Sequence, residues 1–493
     1  MVKDDTGPNW TARIIISFAM VLALAGGFWL FDKVSRGIAA TAACEKAGGD
    51  EAIAACTWVI NSGHLRNHEL AVEYYNRGIE YKHKGDVDSA IADYTEAIRV
   101  DPGYAHAYLN RGVAYDAQGD HDRAIADYTE AMRLDPTDKD SHNNRGIAYK
   151  AKGDLDLAIA DYNEAIRLDP EYAHAYFNRG LAYDAKGDLD LAIADYTEAI
   201  RLDPEDKDPH NNRGVAYDAK GDFDRAIADY NEAIRLDPEY AHGYLNRGVA
   251  YDAKGDHDLA IADYNEAIRL DPKYAHAYNN RGIAYKAKGD LDRAIVDYNE
   301  AIRLDPRYAR AYFNRGLAYK AEADLDRAIA DYNEAIRLDP KDLSAYSSRG
   351  RANLYTGALP KALADFRQAS ALDPKDAYAA LWLDIASTRS NLPSRLADAA
   401  ARIDMTQWPA PVIRLYVGQM TPEAVLAAAD NPDADTKTGR ICEAHFYTGE
   451  RDLQQGRKDD AIRLFRLAAA SCPRGFVEYE GANAELKALS VAQ

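Results

Sequence analysis

The sequence is poor in cysteine, methionine, tryptophan and phenylalanine. Its 493 residues include 4 Cys, 5 Met, 5 Trp and 10 Phe, against 34 Tyr. No two cysteines form a Cys-x-x-Cys pair, which is the usual zinc or redox motif. We also find no nucleophile elbow, no metal-ligand spacing and no phosphate-binding glycine loop. We therefore expect no catalytic residues, no metal site and no cofactor.

Basic residues are in deficit. The formal net charge is −20 and the sequence pI is about 5.1. An acidic surface repels the phosphates of nucleic acids and anionic lipid headgroups, so nucleic-acid binding is not expected. Partners should be proteins or extended peptides with a neutral or basic contact surface.

One long apolar run lies near the N-terminus. Residues 14–31 contain Ser17 as the single polar side chain. At helical rise they span about 27 Å, close to the thickness of the hydrocarbon core of a bilayer. We predict an uncleaved transmembrane anchor at 14–31, preceded by a cytoplasmic tail at 1–13 and followed by a linker and partial capping repeat at 32–70.

Two alternatives to this anchor remain open. A cleaved signal peptide needs small residues soon after the apolar run, but Asp32 and Lys33 follow it at once. A lipoprotein would carry its lipid on Cys44, which lies far from the run. Lys and Arg are almost balanced across the span, so the positive-inside rule leaves the orientation nearly undecided.

A period of 34 residues dominates residues 71–376. Glycine recurs at one position of nine consecutive units, at 78, 112, 146, 180, 214, 248, 282, 316 and 350. Proline recurs at 102, 136, 170, 204, 238, 272, 306, 340 and 374. Sequence repetition at this spacing is typical of stacked helical hairpins.

Each unit resembles one tetratricopeptide repeat (TPR), as residues 105–138 illustrate. Gly112 and Ala124 are small where the two helices of a hairpin meet, and Tyr128 fills the space beside them. Pro136 ends the unit because it cannot continue a helix. The resemblance implies an all-α, right-handed superhelical solenoid with a concave groove lined by the first helices.

An asparagine recurs on the first helix of these units. Its positions are Asn76, Asn110, Asn144, Asn178, Asn212, Asn246, Asn280 and Asn314. An amide offers both a donor and an acceptor to a peptide unit, so we predict a ladder that binds an extended chain. The alternative is that these amides satisfy local backbone groups or face solvent.

Side-chain specificity should come from variable positions of the same helices. One such position carries apolar or aromatic groups at Tyr75, Leu109, Phe177, Leu245 and Phe313, interspersed with asparagine. A second carries Lys82, Asp116, Lys150, Asp184, Asp218, Asp252, Lys286 and Lys320. The lysine that some TPR proteins use to clamp a terminal carboxylate is missing from the first position, so we do not expect carboxylate capture there.

Two other recurrent residues are interpreted as structural. The arginine that follows each asparagine, such as Arg111, should pair with the aspartate of its second helix, such as Asp127. His106, His174, His242 and His276 share one repeat position. Equivalent positions of adjacent units lie too far apart for one ion, so these histidines should not bind metal.

The cysteines flank the array in two pairs. Cys44 and Cys56 lie before it, and Cys442 and Cys472 lie at the two ends of a degenerate tenth repeat at 442–475, followed by a capping helix and tail at 476–493. The ends of an antiparallel hairpin are neighbours, so Cys442 and Cys472 are disulfide candidates. Cys44 and Cys56 bracket the start of the partial capping repeat, where a disulfide would fix the cap. Disulfides would indicate an oxidising compartment, here the periplasm; four buried free thiols are the alternative.

A second resemblance concerns the C-terminal region. Residues 381–486 resemble the bacterial NlpI lipoprotein family through Trp382, Trp408, Tyr416, Gly418, Phe446, Tyr447, Gly449, Ala461 and Phe465. That family implies an envelope adaptor that brings peptidoglycan hydrolases to a protease. The array here is far longer and the lipidation signal is poor.

These patterns favour a non-enzymatic binding scaffold in the bacterial inner membrane, with periplasmic repeats. A cytosol-facing adaptor is one alternative. A hydrolase-type enzyme in the helical linker region 377–441 is another, but its carboxylates Asp384, Asp404 and Asp430 are scattered and interpreted as solvated.

Overall fold

A computed structural model describes residues 39–491 of the chain. The tail predicted at 1–13 and the anchor predicted at 14–31 lie outside these residues. The described part is all-α, beginning with a helical segment at 39–46. Within it, no helix combines the length and apolar character needed to cross a membrane.

The described residues divide into two compact units, 39–238 and 239–491. The helices of the first unit are α1 Gly49–Asn61, α2 Asn67–His83, α3 Val87–Val100, α4 Ala105–Ala117, α5 His121–Leu134, α6 Lys139–Lys152, α7 Leu155–Leu168, α8 Ala173–Lys186, α9 Leu189–Leu202, α10 Lys207–Ala219 and α11 Phe223–Leu236.

The second unit begins with regular hairpins and ends in a non-repetitive region. Its helices are α12 Ala241–Ala253, α13 His257–Leu270, α14 Ala275–Ala287, α15 Leu291–Leu304, α16 Ala309–Ala321, α17 Leu325–Leu338, α18 Leu343–Tyr355, α19 Leu359–Leu372, α20 Ala377–Arg389, α21 Leu396–Ala400, α22 Ala410–Tyr416, α23 Pro422–Ala428, α24 Ala434–Gln454, α25 Lys458–Ser471 and α26 Val477–Val491.

The turn inside the first seven hairpins of the array follows from a glycine–aspartate pair; the last two carry Ala323–Asp324 and Gly357–Ala358. Gly119 has φ +78°, in the left-handed region that glycine adopts without steric cost. Asp120 then accepts a hydrogen bond from the backbone N–H of Arg123 and caps α5. Pro136 lies between α5 and α6, where it ends the unit as the sequence predicts.

The core of the first eight hairpins of the array is a tyrosine packed against a glycine, and in the ninth Phe366 replaces the tyrosine. A Cβ atom on Gly112 would lie 2.7 Å from Cε1 of Tyr128, so only glycine fits at this contact. Tyr128 is 1% exposed and clusters with Ala124 and with Ala148 of the next hairpin. The same ring therefore closes its own hairpin and joins it to its neighbour.

An ion pair between an arginine and a buried aspartate repeats in all nine hairpins of the array, which confirms the predicted role of the arginine. Arg111 donates from Nε and Nη2 to the carboxylate of Asp127, at 2.8 Å each. The pairs are Arg77–Asp93, Arg111–Asp127, Arg145–Asp161, Arg179–Asp195, Arg213–Asp229, Arg247–Asp263, Arg281–Asp297, Arg315–Asp331 and Arg349–Asp365. The bidentate geometry suits a guanidinium and a carboxylate.

The third nitrogen of this arginine reaches back to the preceding hairpin. Nη1 of Arg111 donates to Oγ1 of Thr95 on α3, at 3.1 Å. Nη1 of Arg315 donates to Oδ1 of Asn299 on α15, at 2.6 Å. One side chain thus fixes the angle within a hairpin and the position of its neighbour.

The region after α19 forms the largest core cluster of the second unit. Trp382, 2% exposed, stacks on Phe366 with ring centroids 5.9 Å apart and contacts Phe446 at 5.7 Å. The C-terminal helix α26 packs against α18, α24 and α25. The chain therefore folds back at its end onto the last regular hairpins.

Both predicted disulfides are present. Cys442 and Cys472 are joined by an S–S bond of 2.04 Å, which connects α24 to the end of α25. Cys44 and Cys56 are also joined, so the segment at 39–46 is tied to α1. Beside this bond lies Glu73, whose pKa is raised to about 7 by burial and, to a smaller extent, by the charge of Glu45.

Candidate inner-wall binding surface

The first helices of neighbouring hairpins contact one another within each unit. In the first unit α4, α6, α8 and α10 contact in succession, and in the second unit α12, α14 and α16 do so. Because each second helix packs behind its own first helix, the first helices form one continuous wall. We call this surface the inner wall of the unit.

The eight recurrent asparagines lie at one position of the inner wall. All are half-buried except Asn314, which is buried. Asn110 donates to Oη of Tyr75 at 3.0 Å and to the carbonyl of His106 at 3.1 Å. Asn212 donates to the carbonyl of Asp208. Several of these amides therefore bond local groups, as the alternative interpretation allowed, and all but Asn314 remain partly accessible.

An amide relay connects these asparagines across neighbouring hairpins. Asn178 donates to Oδ1 of Asn143 at 3.0 Å, and Asn143 donates to Oδ1 of Asn144 at 3.4 Å. In the second unit Asn314 donates to Asn279 at 2.9 Å, and Asn279 donates to Asn280 at 3.1 Å. Each relay fixes which way its amides point.

The buried members of these relays were missed by sequence reasoning. Asn143 is 4% exposed and Asn279 is 1% exposed. Their position carries leucine, phenylalanine or tyrosine in other hairpins, so it was interpreted only as a variable contact position. Asparagine at an otherwise apolar position was the available signal, because a buried amide needs hydrogen-bonding partners.

The apolar residues at the equivalent position of other hairpins pack partly against the hairpin cores. Phe177 and Phe313 each contact the core tyrosine of their hairpin with ring centroids 5.9 Å apart. Leu245 is buried, whereas Tyr75 and Leu109 are half-buried. Leu245 therefore presents little area to a ligand, and the other four present an edge.

The recurrent histidines are exposed, and their rings contact neighbouring tyrosine rings in a tilted arrangement. The rings of His276 and Tyr308 have centroids 4.7 Å apart, and those of His242 and Tyr274 are 5.1 Å apart. Within residues 39–491 the one group of candidate metal ligands is Cys44, Cys56 and Glu73. Its two sulfurs are bonded to each other, so they are not available as thiolate ligands.

One carboxylate was wrongly interpreted from the sequence. Asp384 is buried, at 6% exposure, because α20 turns this face toward the C-terminal core, and burial raises its pKa. It lines a cavity of about 450 Å³. Asp404 caps the N–H of Thr406, and Asp430 is an exposed partner of Lys437. The three carboxylates do not form one site.

Stacked helical hairpins with a repeated Gly–Tyr contact and Arg–Asp pair define an all-α repeat solenoid. Models described as tetratricopeptide repeat match residues 75–139, 143–207, 211–275, 263–296 and 309–342, and one described as TPR repeat matches 284–322. The matched segments span more than half of the chain. The chain belongs to the tetratricopeptide repeat family, whose arrays act as scaffolds for protein–protein interaction.

Solved structures of other TPR proteins are similar to parts of this chain. A tetratricopeptide repeat protein from Parabacteroides merdae is 20% identical, covers 50% of this chain and 98% of its own, and has a TM-score of 0.43. MamA is 30% identical, with coverages of 34% and 96% and a TM-score of 0.31. YrrB, a TPR protein with an unusual peptide-binding site, is 23% identical, with coverages of 37% and 95% and a TM-score of 0.33.

No catalytic domain is evident among residues 39–491, and TPR arrays are typically non-enzymatic. The binding surface, and not a reaction centre, is therefore the feature from which a function has to be argued.

Proposed function

We propose that the inner wall binds extended segments of partner proteins through its asparagine ladder. The observation that carries this proposal is the recurrence of a half-buried amide at one position of successive first helices. Adjacent helices pack about 8–10 Å apart, and an extended chain advances about 3.3 Å per residue. One amide per hairpin therefore meets about every third residue of a bound chain.

The relays support this proposal because they orient the amides in advance. The Nδ2 group of Asn178 is used by Asn143, which leaves the carbonyl oxygen of Asn178 as an acceptor for a peptide N–H. The Oδ1 atom of Asn144 accepts from Asn143, which leaves its Nδ2 group as a donor for a peptide carbonyl. Groups fixed before binding lose less conformational entropy when a ligand arrives.

Cross-linking in intact cells, followed by mass spectrometry, tests this proposal. Alanine at Asn144, Asn178 and Asn280 together should remove most of the partners that the native chain captures. The matched control replaces Leu157, Leu191 and Leu259, which are about half exposed on second helices. If the asparagine variant captures the same partners as the control, the inner wall is not the binding surface.

We further propose that residues 14–31 anchor the chain in a bacterial inner membrane with its repeats in the periplasm. The two disulfides support this location, because disulfides persist in oxidising compartments. Alkylation of thiols in intact cells and spheroplasts should label the four cysteines only after reduction. Free labelling without reductant would favour the cytosol-facing adaptor instead.

The likeness of residues 381–486 to the NlpI family leads us to propose an adaptor role for envelope enzymes. In this role the array holds one protein on its inner wall and delivers it to a second. Among the captured proteins we expect enzymes of the cell envelope. A captured set drawn entirely from other compartments would contradict this role.

A further inference from the structure

The inner wall of the second unit contains an open cavity of about 960 Å³. Residues of the first helices α14, α16, α18 and α20 line it, together with residues of the loop before α26 and of α26 itself. Lys286, Lys320, Arg351 and Arg474 line the cavity. A volume of this size is typical of pockets that enclose a small ligand or several side chains.

The cavity holds more positive than negative charge, in a chain whose net charge is −20. Lys320 is paired with Glu480 of α26, with Nζ and Oε2 2.7 Å apart. The carboxylate of Asp376 is used to cap the N-terminus of α20. Lys286, Arg351 and Arg474 line the same cavity and form no salt bridge among residues 39–491, although the charge of Glu480 acts on Lys286 and that of Arg351 acts on Glu478.

Two of these cations are costly to leave without an anion. Burial lowers the pKa of Lys286, the nearby charge of Lys320 lowers it further, and the charge of Glu480 offsets part of this shift. Arg351 lies over the ring of Trp382 at 5.9 Å, and its Nε is buried without a hydrogen-bond partner. A buried polar group of this kind loses solvation that only a partner can restore.

Arg351 also departs from the repeat at a position where the other eight hairpins of the 34-residue array are aliphatic. The corresponding residues are Ile79, Val113, Ile147, Leu181, Val215, Val249, Ile283 and Leu317. A hairpin can therefore fold with an aliphatic side chain at this position. The guanidinium is not needed for the hairpin itself. Within the chain it lies over Trp382 and its charge acts on Glu478, but its buried Nε remains without a partner and can serve a ligand.

The chain's own C-terminal helix shows how the cavity accepts an acid. The ion pair of Glu480 with Lys320 places a carboxylate inside it, at 2.7 Å from an ammonium group. Phe313 and Leu317 supply apolar contacts beside the cations. The cavity thus combines cationic and apolar walls.

We propose that this cavity binds an acidic segment of a partner protein, through its aspartate or glutamate side chains. Several cations spread over α14, α18 and the loop before α26 suit several side-chain carboxylates better than one chain terminus. The inference rests on the proposed function, in that a peptide occupies the inner wall. It assigns an acidic ligand to this end of the wall, whereas the net charge of the chain favours neutral or basic partners.

A blocked acidic peptide is the direct probe. It is N-acetylated, C-amidated and fluorescent, and it carries glutamate at every third position, because about three extended residues span one hairpin. Fluorescence anisotropy with the full chain should show binding that weakens steeply with salt. The same peptide with glutamine in place of glutamate should bind at least about tenfold more weakly.

Two variants test the cavity itself. Lys286→Met and Arg351→Leu should each weaken binding of the acidic peptide by about tenfold, since each removes a charge-assisted contact. Arg351→Leu introduces the residue type that other hairpins carry, so it should fold normally. Lys341→Met, an exposed lysine of the same unit outside the cavity, should bind as the native chain does.

Equal affinity for the glutamate and glutamine peptides, or unchanged affinity in both cavity variants, would overturn this inference. The proposed function would be unaffected by that result, because it depends on partners lost when Asn144, Asn178 and Asn280 are replaced. Conversely, Arg351→Leu could lose binding of the acidic peptide while the chain still captures all of its partners. That result would support the acidic-segment site and show that it is distinct from the site that holds the captured partners.

Discussion

At the scale of single residues, the arginine of each first helix forms hydrogen bonds that a positive charge alone would not provide. Arg179 contacts Asp195 through two nitrogens and Asn163 of the preceding hairpin through a third. Lysine offers one compact ammonium group and cannot make this fork. The planar guanidinium is therefore a structural requirement of the stack.

Arg179→Lys should lower the free energy of unfolding by about 1–2 kcal/mol, because two charge-assisted hydrogen bonds to a buried carboxylate are lost. Urea titration followed by circular dichroism measures this change. The control is Arg201→Lys, whose partner Glu198 lies one turn away on an exposed face. Equal stability of the two variants would contradict the structural role.

Ala323 occupies a position where neighbouring hairpins have glycine. Its φ is +62°, in the left-handed region, whereas Gly289 adopts φ +81° one hairpin earlier. Left-handed backbone costs a residue with a Cβ atom about 1–2 kcal/mol.

Ala323→Gly should therefore raise the thermal unfolding midpoint, with a gain of about 1 kcal/mol. The reciprocal change Gly289→Ala should lower the midpoint by a similar amount. Differential scanning calorimetry of both variants checks the sign. Destabilisation by Ala323→Gly would mean that unfolded-chain entropy outweighs the backbone strain.

Some residue roles could be predicted from the sequence and others could not. The Arg–Asp pair was predictable because both residues recur within one hairpin at a fixed separation. The relay through Asn143 was not, because its partner Asn178 belongs to the next hairpin. Arg351 was visible as a departure from an aliphatic position, yet its meaning depends on Trp382 and α26, which lie outside the repeat.

At the scale of elements, the regular hairpins are dictated by local signals and the C-terminal region is not. Gly119, Asp120 and Pro136 set turn, cap and boundary from neighbouring residues. Helices α20–α24 have no such repetition, and their core brings together Phe366, Trp382 and Phe446 from distant segments. Asp384 was therefore misjudged as solvated, since its surroundings come from long-range packing.

The disulfide between α24 and the end of α25 should be a main support of the last hairpin. Cys472→Ser should destabilise this hairpin by about 3–4 kcal/mol, because the bond closes a loop of 30 residues in the unfolded chain. Hydrogen exchange of α24 and α25 reports this loss locally. Unchanged protection in the variant would show that packing alone holds the hairpin.

Glu478 of α26 gives the C-terminal region a pH dependence. It is 3% exposed, and burial, followed by the charge of Glu443, raises its pKa to about 7. The folded state thus binds a proton that the unfolded state, with a carboxyl pKa near 4.5, releases. Stability is fully present below about pH 4.5 and declines as the pH rises through about 7.

Glu478→Gln should remove this decline, because an amide keeps the shape and carries no charge to bury. The thermal unfolding midpoint of the native chain should be lower at pH 8 than at pH 5. The difference between the two pH values should be smaller for the variant. A parallel fall in both proteins would show that Glu478 is not the titrating group. Tyr447, which donates to Glu478 at 3.2 Å, can donate equally to the amide oxygen.

At the scale of the whole molecule, the proposed anchor and the folded repeats should be separable. Removal of residues 1–38 should release the protein from the membrane fraction, while its helical circular dichroism and cooperative unfolding persist. Carbonate extraction at alkaline pH distinguishes integral from peripheral association. Extraction of the full chain by carbonate would contradict the anchor at 14–31.

The repeated arginine bonds to its own hairpin and to the one before it. Junctions within a run of repeats are therefore chemically alike. After duplication or deletion of a hairpin, each arginine would still find a hydroxyl or amide on the preceding hairpin. The array can therefore change length without a new type of contact between hairpins. Duplication of hairpins can then increase the length of peptide that the inner wall binds.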